Sequence, residues 1–223
     1  MMVNLFSIFD PATKFMLSSN WLSIMIYFLL LPIQLWMAPV RYKHLFSSLF
    51  NYLFQEFKPL MKKTPFILLL SLSTFIFIAT NNSVGLLPYV FAASSHMAFT
   101  LSLALTLWLA AFIYAWVNNT SNSLVHLIPQ GTPFILMPFM VIIETISSLI
   151  RPGTLAVRLA ANMVAGHLLM VLLSSSFLLS PVMILPLLYL AQALLSLLEL
   201  AVAVIQAYVF SILLTLYSAE AVN

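Results

Sequence analysis

Cysteine is absent from the 223 residues, which removes disulfides, thiolate nucleophiles and cysteine-bound zinc or iron–sulfur centres. Charge is nearly as scarce: eight Lys and Arg and five Asp and Glu make up 6% of the chain, against about a quarter in a soluble domain. Glycine is confined to Gly85, Gly131, Gly153 and Gly166. These are too scattered to form a loop that cradles phosphates, so no nucleotide site and no cofactor are expected. A net charge of +3 resting on so few cations cannot neutralise a run of backbone phosphates, which sets nucleic acid aside as a partner. The start, with Asp10 and Lys14, has neither a cationic region ahead of a short apolar core nor an Arg-rich amphipathic pattern. It is not expected to be a cleaved address.

What fills the chain instead is apolar: 63% of residues are hydrophobic and the mean hydropathy is +1.11. Residues 15–40, 64–143, 159–198 and 200–219 contain no Lys, Arg, Asp or Glu, and each can hold the ~20 apolar residues of a membrane-crossing helix. Alternating strands of about ten residues are missing, which excludes a barrel. The expectation is an all-α polytopic membrane protein in one domain.

The first span covers about residues 20–40, from Trp21 to Val40. Residues 41–63 then hold Arg41, Lys43, Lys58, Lys62 and Lys63 together with Phe46, Leu49, Phe50, Leu53, Phe54 and Phe57. Apolar spacing of three and four predicts an amphipathic helix lying in the membrane interface. The excess of cations places it on the inner side and the N-terminus on the outer side. Residues 65–117 read as a helical hairpin: a span from Pro65 to about Thr80, interrupted by Asn81, Asn82, Ser83 and Gly85, and another from Met97 to Val117 that ends in the polar tract 118–123. Pro129, Gly131 and Pro133 punctuate a loop.

Two long stretches follow, residues 134–179 and 183–218. The first is helical from about Pro138 and broken only at Arg151-Pro152-Gly153. At 1.5 Å per residue the pair would measure about 60 and 54 Å, against a hydrocarbon core near 30 Å. Each is therefore broken or strongly inclined. Five crossings bring the C-terminus to the inner side.

Arg158 lies deep in the first of these stretches, where an unpaired arginine costs at least about 2.5–3.5 kcal/mol. Its helical neighbours are Thr154, Leu155, Ala161 and Asn162, and none is an acid. Its counter-ion is expected on another helix or another protein. Folding the chain at Ser180-Pro181 brings residues whose numbers sum to about 362–366 to one depth. Arg158 then falls level with Gln206, Asn162 and His167 with the Glu199 region, and Glu144 with Glu220. Gln192, Glu199 and Gln206 recur every seven residues and form one helical stripe. Asn162 is about 40° from Arg158 around the helix, whereas His167 faces the opposite way. A lone glutamine on such a helix most often makes an interhelical hydrogen bond worth about 0.6 kcal/mol. For Glu199 and His167 together, proton exchange is the better reading.

The run RLAANMVAGHLL, Arg158 to Leu169, resembles the signature of subunit a of F-type ATP synthases, known in mitochondria as subunit 6. HLIPQGTP at His126 to Pro133, IETISSLIRPGTLAVR at Ile143 to Arg158, and the late helix bearing Glu199 and Gln206 extend the resemblance over the whole chain. The resemblance implies one span, an interfacial helix, a hairpin, and two long, strongly inclined helices against a rotating ring of c subunits. Other stator subunits and membrane lipid are the further partners it implies. It makes Arg158 the essential ring-facing arginine. Asn162, His167, Glu199 and Gln206 become the outer proton path, and Glu144 and Glu220 the inner one, with Gln192 and Arg151 as supporting polar residues. The subunit would conduct protons without being catalytic.

Bacterial relatives tend to carry glutamate on the penultimate helix and histidine on the last, whereas here His167 precedes Glu199. That order and the short chain look like an organelle-encoded form in the mitochondrial inner membrane. Protons are favoured over sodium because no dense cluster of oxygen ligands is present. From the residues alone two rivals stand: a self-contained proton-coupled secondary transporter, and an assembly subunit whose polar residues only join helices. Substrate uptake by the isolated chain would mark the first. Normal proton flux after loss of Arg158 would mark the second.

Overall fold

Helix is the only regular structure among the described residues of the computed structural model, which are 5–12, 19–30, 41–59, 65–118, 120–128, 133–177 and 180–222. The chain begins with 3-10 turns at Leu5–Phe9 and Ser19–Met25, the latter running into α1 (Ile26–Leu30). The rest of the first expected span, residues 31–40, lies outside the described residues, as do Lys62 and Lys63. α2 (Arg41–Phe57) is the amphipathic helix that the spacing predicts. It buries Leu53 and Phe57 against Leu68 and Leu72 of α3 (Pro65–Gly85), and Phe57 stacks on Tyr208.

α3 does not stop near Thr80 as expected. It continues through Asn81, Asn82 and Ser83 to Gly85 because those polar side chains find backbone partners. Asn81 donates to Phe77 O one turn back, and Asn82 donates across to Ala203 O. A turn with Tyr89 at φ 67° and a short 3-10 turn, Ala93–Ser95, lead to α4 (Met97–Asn118). The polar tract in which the α4 span was expected to end contributes to a further helix, α5 (Thr120–His126), where the Ser123 hydroxyl donates to Thr120 O.

The two long stretches are single helices, α6 (Met137–Ser176) and α7 (Leu185–Val222). The expected break at Arg151-Pro152-Gly153 is corrected: α6 runs straight through. Proline forfeits one helical hydrogen bond, a loss that neighbouring helices can absorb in an apolar setting, and Pro152 is buried in the packing. Helices of 40 and 38 residues are about 60 and 57 Å long. Among the described residues four helices are long and apolar enough to cross a membrane: Phe66–Gly85, Met97–Asn118, Phe134–Ser176 and Leu185–Ala219. The chain is an all-α polytopic membrane protein.

The arms of the α3–α4 pair diverge, α3 lying mainly along α7 and α4 mainly along α6. The seam between α6 and α7 is made by small residues. Ala156 and Ala207 are both 0% exposed, in one cluster with Ile78, Ala104, Leu155, Leu159 and Phe210. Small side chains let helix backbones approach where lipid supplies no hydrophobic drive between helices.

Candidate functional site

α7 buries one stripe, Glu199, Ala203, Ala207, Phe210, Ser211, Leu214, Thr215 and Ser218, at the three-and-four spacing of a helix face. Glu199 is the only charged member and is 8% exposed. Its partner in space is a glycine. A Cβ placed on Gly166 of α6 would stand 2.9 Å from Glu199 Oε1 and 3.0 Å from its Cδ, so only the bare backbone at this point admits the carboxyl group. The antiparallel register inferred from the Ser180-Pro181 turn is borne out here, since the numbers of Gly166 and Glu199 sum within the expected band.

Neither carboxyl oxygen of Glu199 has a hydrogen-bond partner among the described residues, and His167 Nε2 is likewise buried and unpaired. The two are close in depth without being bonded to each other. His167 instead meets the Phe9 ring edge-on at 6.1 Å, which brings the N-terminal segment to this end of the bundle. Four residues that the sequence reading did not assign to the site share these features, Ser23 through its Oγ being one. Asn82 Oδ1, Ser94 Oγ and His96 Nε2 are all buried and unpaired among the described residues. Asn82 is tied to α7 one turn from Glu199, the turn containing Ser94 packs on α6, and His96 forms a three-ring cluster with Trp21 and Phe91. Their signal in the sequence was a polar residue beside an apolar helix end, which reads equally well as a loop.

Arg158 is placed differently. It is exposed on α6, on the side away from the buried row Leu155, Ala156, Leu159, Ala160 and Met163. Among the described residues it makes no ion pair or hydrogen bond. Asn162 and Gln206 are half-buried, as is Gln192 further along α7, and no hydrogen bond joins Arg158 to Gln206 despite their common depth.

At the opposite end of α6, Arg151 makes an ion pair with Glu144, Nη2 to Oε1 at 3.4 Å, and its guanidinium lies over the Tyr217 ring at 5.2 Å. Glu144 thus has a cation at two helical turns, and Arg151 ties α6 to α7. Glu220 stands in the last turns of α7, and its side chain is outside the described set. Among the described residues no group of three metal-ligating side chains converges.

The profile of the family described as "ATP synthase A chain" matches residues 14–219. Proteins called ATP synthase subunit a are similar over essentially their full length. That of Drosophila simulans is 51% identical over 226 residues and that of Locusta migratoria 52% over 223, each alignment covering 99% of both chains. That of Anopheles gambiae is 49% identical over 224 residues with the same coverage. The chain belongs to the ATP synthase A chain family. The resemblance carried by RLAANMVAGHLL is therefore borne out. In this member of the family the signature run spans both features of the site: Arg158 on the outward face of α6, and Gly166 with His167 at the Glu199 contact.

Proposed function

We propose that this chain is the proton-conducting stator subunit of an ATP synthase membrane sector, holding two offset half-channels and an arginine that faces the c-ring. The observation that carries this reading is the separation of its charges. Arg158 is exposed on α6 without a counter-ion among the described residues, while Glu199 is buried about two helical turns away, against Gly166, without a hydrogen-bond partner among them. A transporter working alone would need an anion for Arg158 within its own bundle. A subunit working against a ring of carboxylates would leave that cation outward.

A ring carboxylate exposed to lipid must be protonated, because an ion there is costly. Beside Arg158 it can ionise. Guanidinium keeps its charge at any accessible pH, so Arg158 stabilises the passing carboxylate without relaying a proton. Protons reach the ring on the outer side through Glu199 and His167, with Asn162 and Gln206 between them and the arginine. They leave on the inner side past Glu144 and Glu220. The unpaired polar atoms at the outer end support a hydrated inlet, since buried polar groups without protein partners are ordinarily satisfied by water. Each charge moved supplies about 2.3 kcal/mol per 100 mV, delivered only if the ring turns past Arg158.

In this reading α2 lies in the inner interface and α6 and α7 are strongly inclined, which fits unbroken helices about twice as long as the ~30 Å core. The membrane is the mitochondrial inner membrane, with the N-terminus in the intermembrane space and the C-terminus in the matrix. The order of His167 and Glu199 supports that assignment. Replacing Arg158 with Ala in the assembled complex is expected to reduce potential-driven ATP synthesis to background and to open a passive proton leak. Both can be measured in sealed inner-membrane vesicles. Normal coupled synthesis by fully assembled Arg158→Ala complexes would overturn the assignment.

A further inference from the structure

Glu144, Arg151 and Arg158 stand seven residues apart along α6. Seven residues fall only about 20° short of two full turns, so the three share one stripe at intervals of about 10 Å. That stripe carries two cations, and the proton path uses only Arg158. Left loose, the second guanidinium would compete with Arg158 for a passing ring carboxylate, because opposite charges attract over such distances where water is scarce. The c-ring would then be held back. Arg151 is instead drawn aside. Its Nη2 lies 3.4 Å from Glu144 Oε1, and its guanidinium carbon stands 5.2 Å from the centre of the Tyr217 ring on α7, inside the ~6 Å at which an aromatic face attracts a cation.

The carboxylate alone does not fix it. The side chains of the pair are 31% and 38% exposed, and exposed ion pairs contribute little. Their separation also exceeds the ~2.7–2.9 Å of a short charge-assisted hydrogen bond. Tyr217 adds an anchor from a second helix. It is half-buried, and Leu214, Thr215 and Ser218 beside it are buried in the α7 packing, so the bundle fixes the segment that carries its ring.

We propose that Tyr217 is a positioning residue: its aromatic face holds Arg151 beside Glu144 and α7, so that of the two arginines only Arg158 is offered to the ring carboxylate. The inference rests on the proton-path reading and adds to it a residue that acts through Arg151.

In assembled complexes in sealed inner-membrane vesicles, Tyr217→Leu is expected to lower potential-driven ATP synthesis about two- to fivefold, the factor to which a cation–π contact at an exposed site corresponds. Modification of Arg151 by 2,3-butanedione, mapped by peptide mass spectrometry, should rise by about the same factor. Tyr217→Phe keeps the aromatic face and should return both readouts to the level of the unaltered complex. Should Tyr217→Leu complexes fail to assemble, Tyr217→Met carries the same expectations. With Arg151→Gln as the starting point, Tyr217→Leu should cause no further loss, since the cation to be held is gone. A rate and an Arg151 reactivity unchanged by loss of the aromatic ring would overturn the proposal. So would an equal loss with and without Arg151, which would make Tyr217 a packing residue only. Arg158→Ala in the same vesicles separates the two readings. If it abolishes synthesis while Tyr217→Leu does not slow it, the positioning role alone falls; if it leaves synthesis coupled, the proton-path reading falls and takes this role with it.

Discussion

Gly166 sets how closely the Glu199 carboxyl group approaches α6. Adding a methyl group there puts a Cβ 2.9–3.2 Å from Oε1, Cδ and Cγ of Glu199. The far end of a glutamate can swing, so the carboxyl group is expected to move rather than the helices. Overpacking costs about 1–3 kcal/mol, and alanine in place of helical glycine returns about 1 kcal/mol. Gly166→Ala should therefore assemble with little change in stability. Proton-driven ATP synthesis should fall between about tenfold and a hundredfold, the scale on which an ångström of misplacement acts. Reconstituted vesicles energised by a defined potential would measure it. An unchanged rate would show that the position of this carboxyl group does not govern flux.

At this scale the sequence was informative about depth and less so about contact. A single turn at Ser180-Pro181 was enough to bring residue 166 level with Glu199, because two helices antiparallel about one turn have only one register. That Glu199 would face a glycine backbone rather than His167 depends on rotation of α6 about its axis, which is set by packing against α4 and the turn containing Ser94. Ser94 and His96 escaped notice, and Asn82 was read only as an interruption, for the same reason. Their unpaired atoms acquire meaning only once α3 is laid along α7 and the N-terminal turns cover that end.

Among the elements, α6 departs furthest from what its residues suggest. Proline followed by glycine normally punctuates a chain, yet Pro152 is buried within an unbroken 40-residue helix. The interruption predicted at Asn81–Gly85 fails similarly, since amide side chains that would favour a loop in water here donate to Phe77 O and Ala203 O. Periodicity and length located α2, α4, α6 and α7 well because apolar patterning follows from burial. The breaks were illegible because they depend on which partner rescues each polar group.

The α6–α7 seam gives a prediction at this scale. Ala156 is fully buried beside Ala207 and Phe210, and Ala156→Leu would force the two helices apart. A loss of about 1–3 kcal/mol is expected, read as a lowered midpoint of thermal inactivation of the detergent-solubilised membrane sector. Ala110→Leu on the exposed face of α4 should change stability by no more than about 0.5 kcal/mol. Equal effects at the two sites would mean that the seam is not closely packed.

For the whole molecule, the contacts define two ends of the bundle. Phe9 meets His167, Trp21 meets Phe91 and His96, and Gly85 approaches Ala92 and Met163, so the N-terminal turns share one end with the α3–α4 turn. α2 lies toward the other end, its Phe57 and Leu53 grouped with Leu68 and Ala219. If the cationic segment is on the inner side, Tyr89 and Met183, which are 107% and 92% exposed, must both be on the outer side. The chain has no native cysteine, so single cysteines report without background. In mitoplasts a membrane-impermeant maleimide should label Tyr89→Cys and Met183→Cys but not Ser48→Cys on the exposed face of α2. In inverted vesicles the pattern should reverse. A fully inverted pattern would exchange the roles of the two half-paths, making Glu144 rather than Glu199 the first carboxylate a proton meets. Labelling of Ser48→Cys and Tyr89→Cys from one side would mean that α3 does not cross, and the separation of inlet from exit along α6 and α7 would lose its basis.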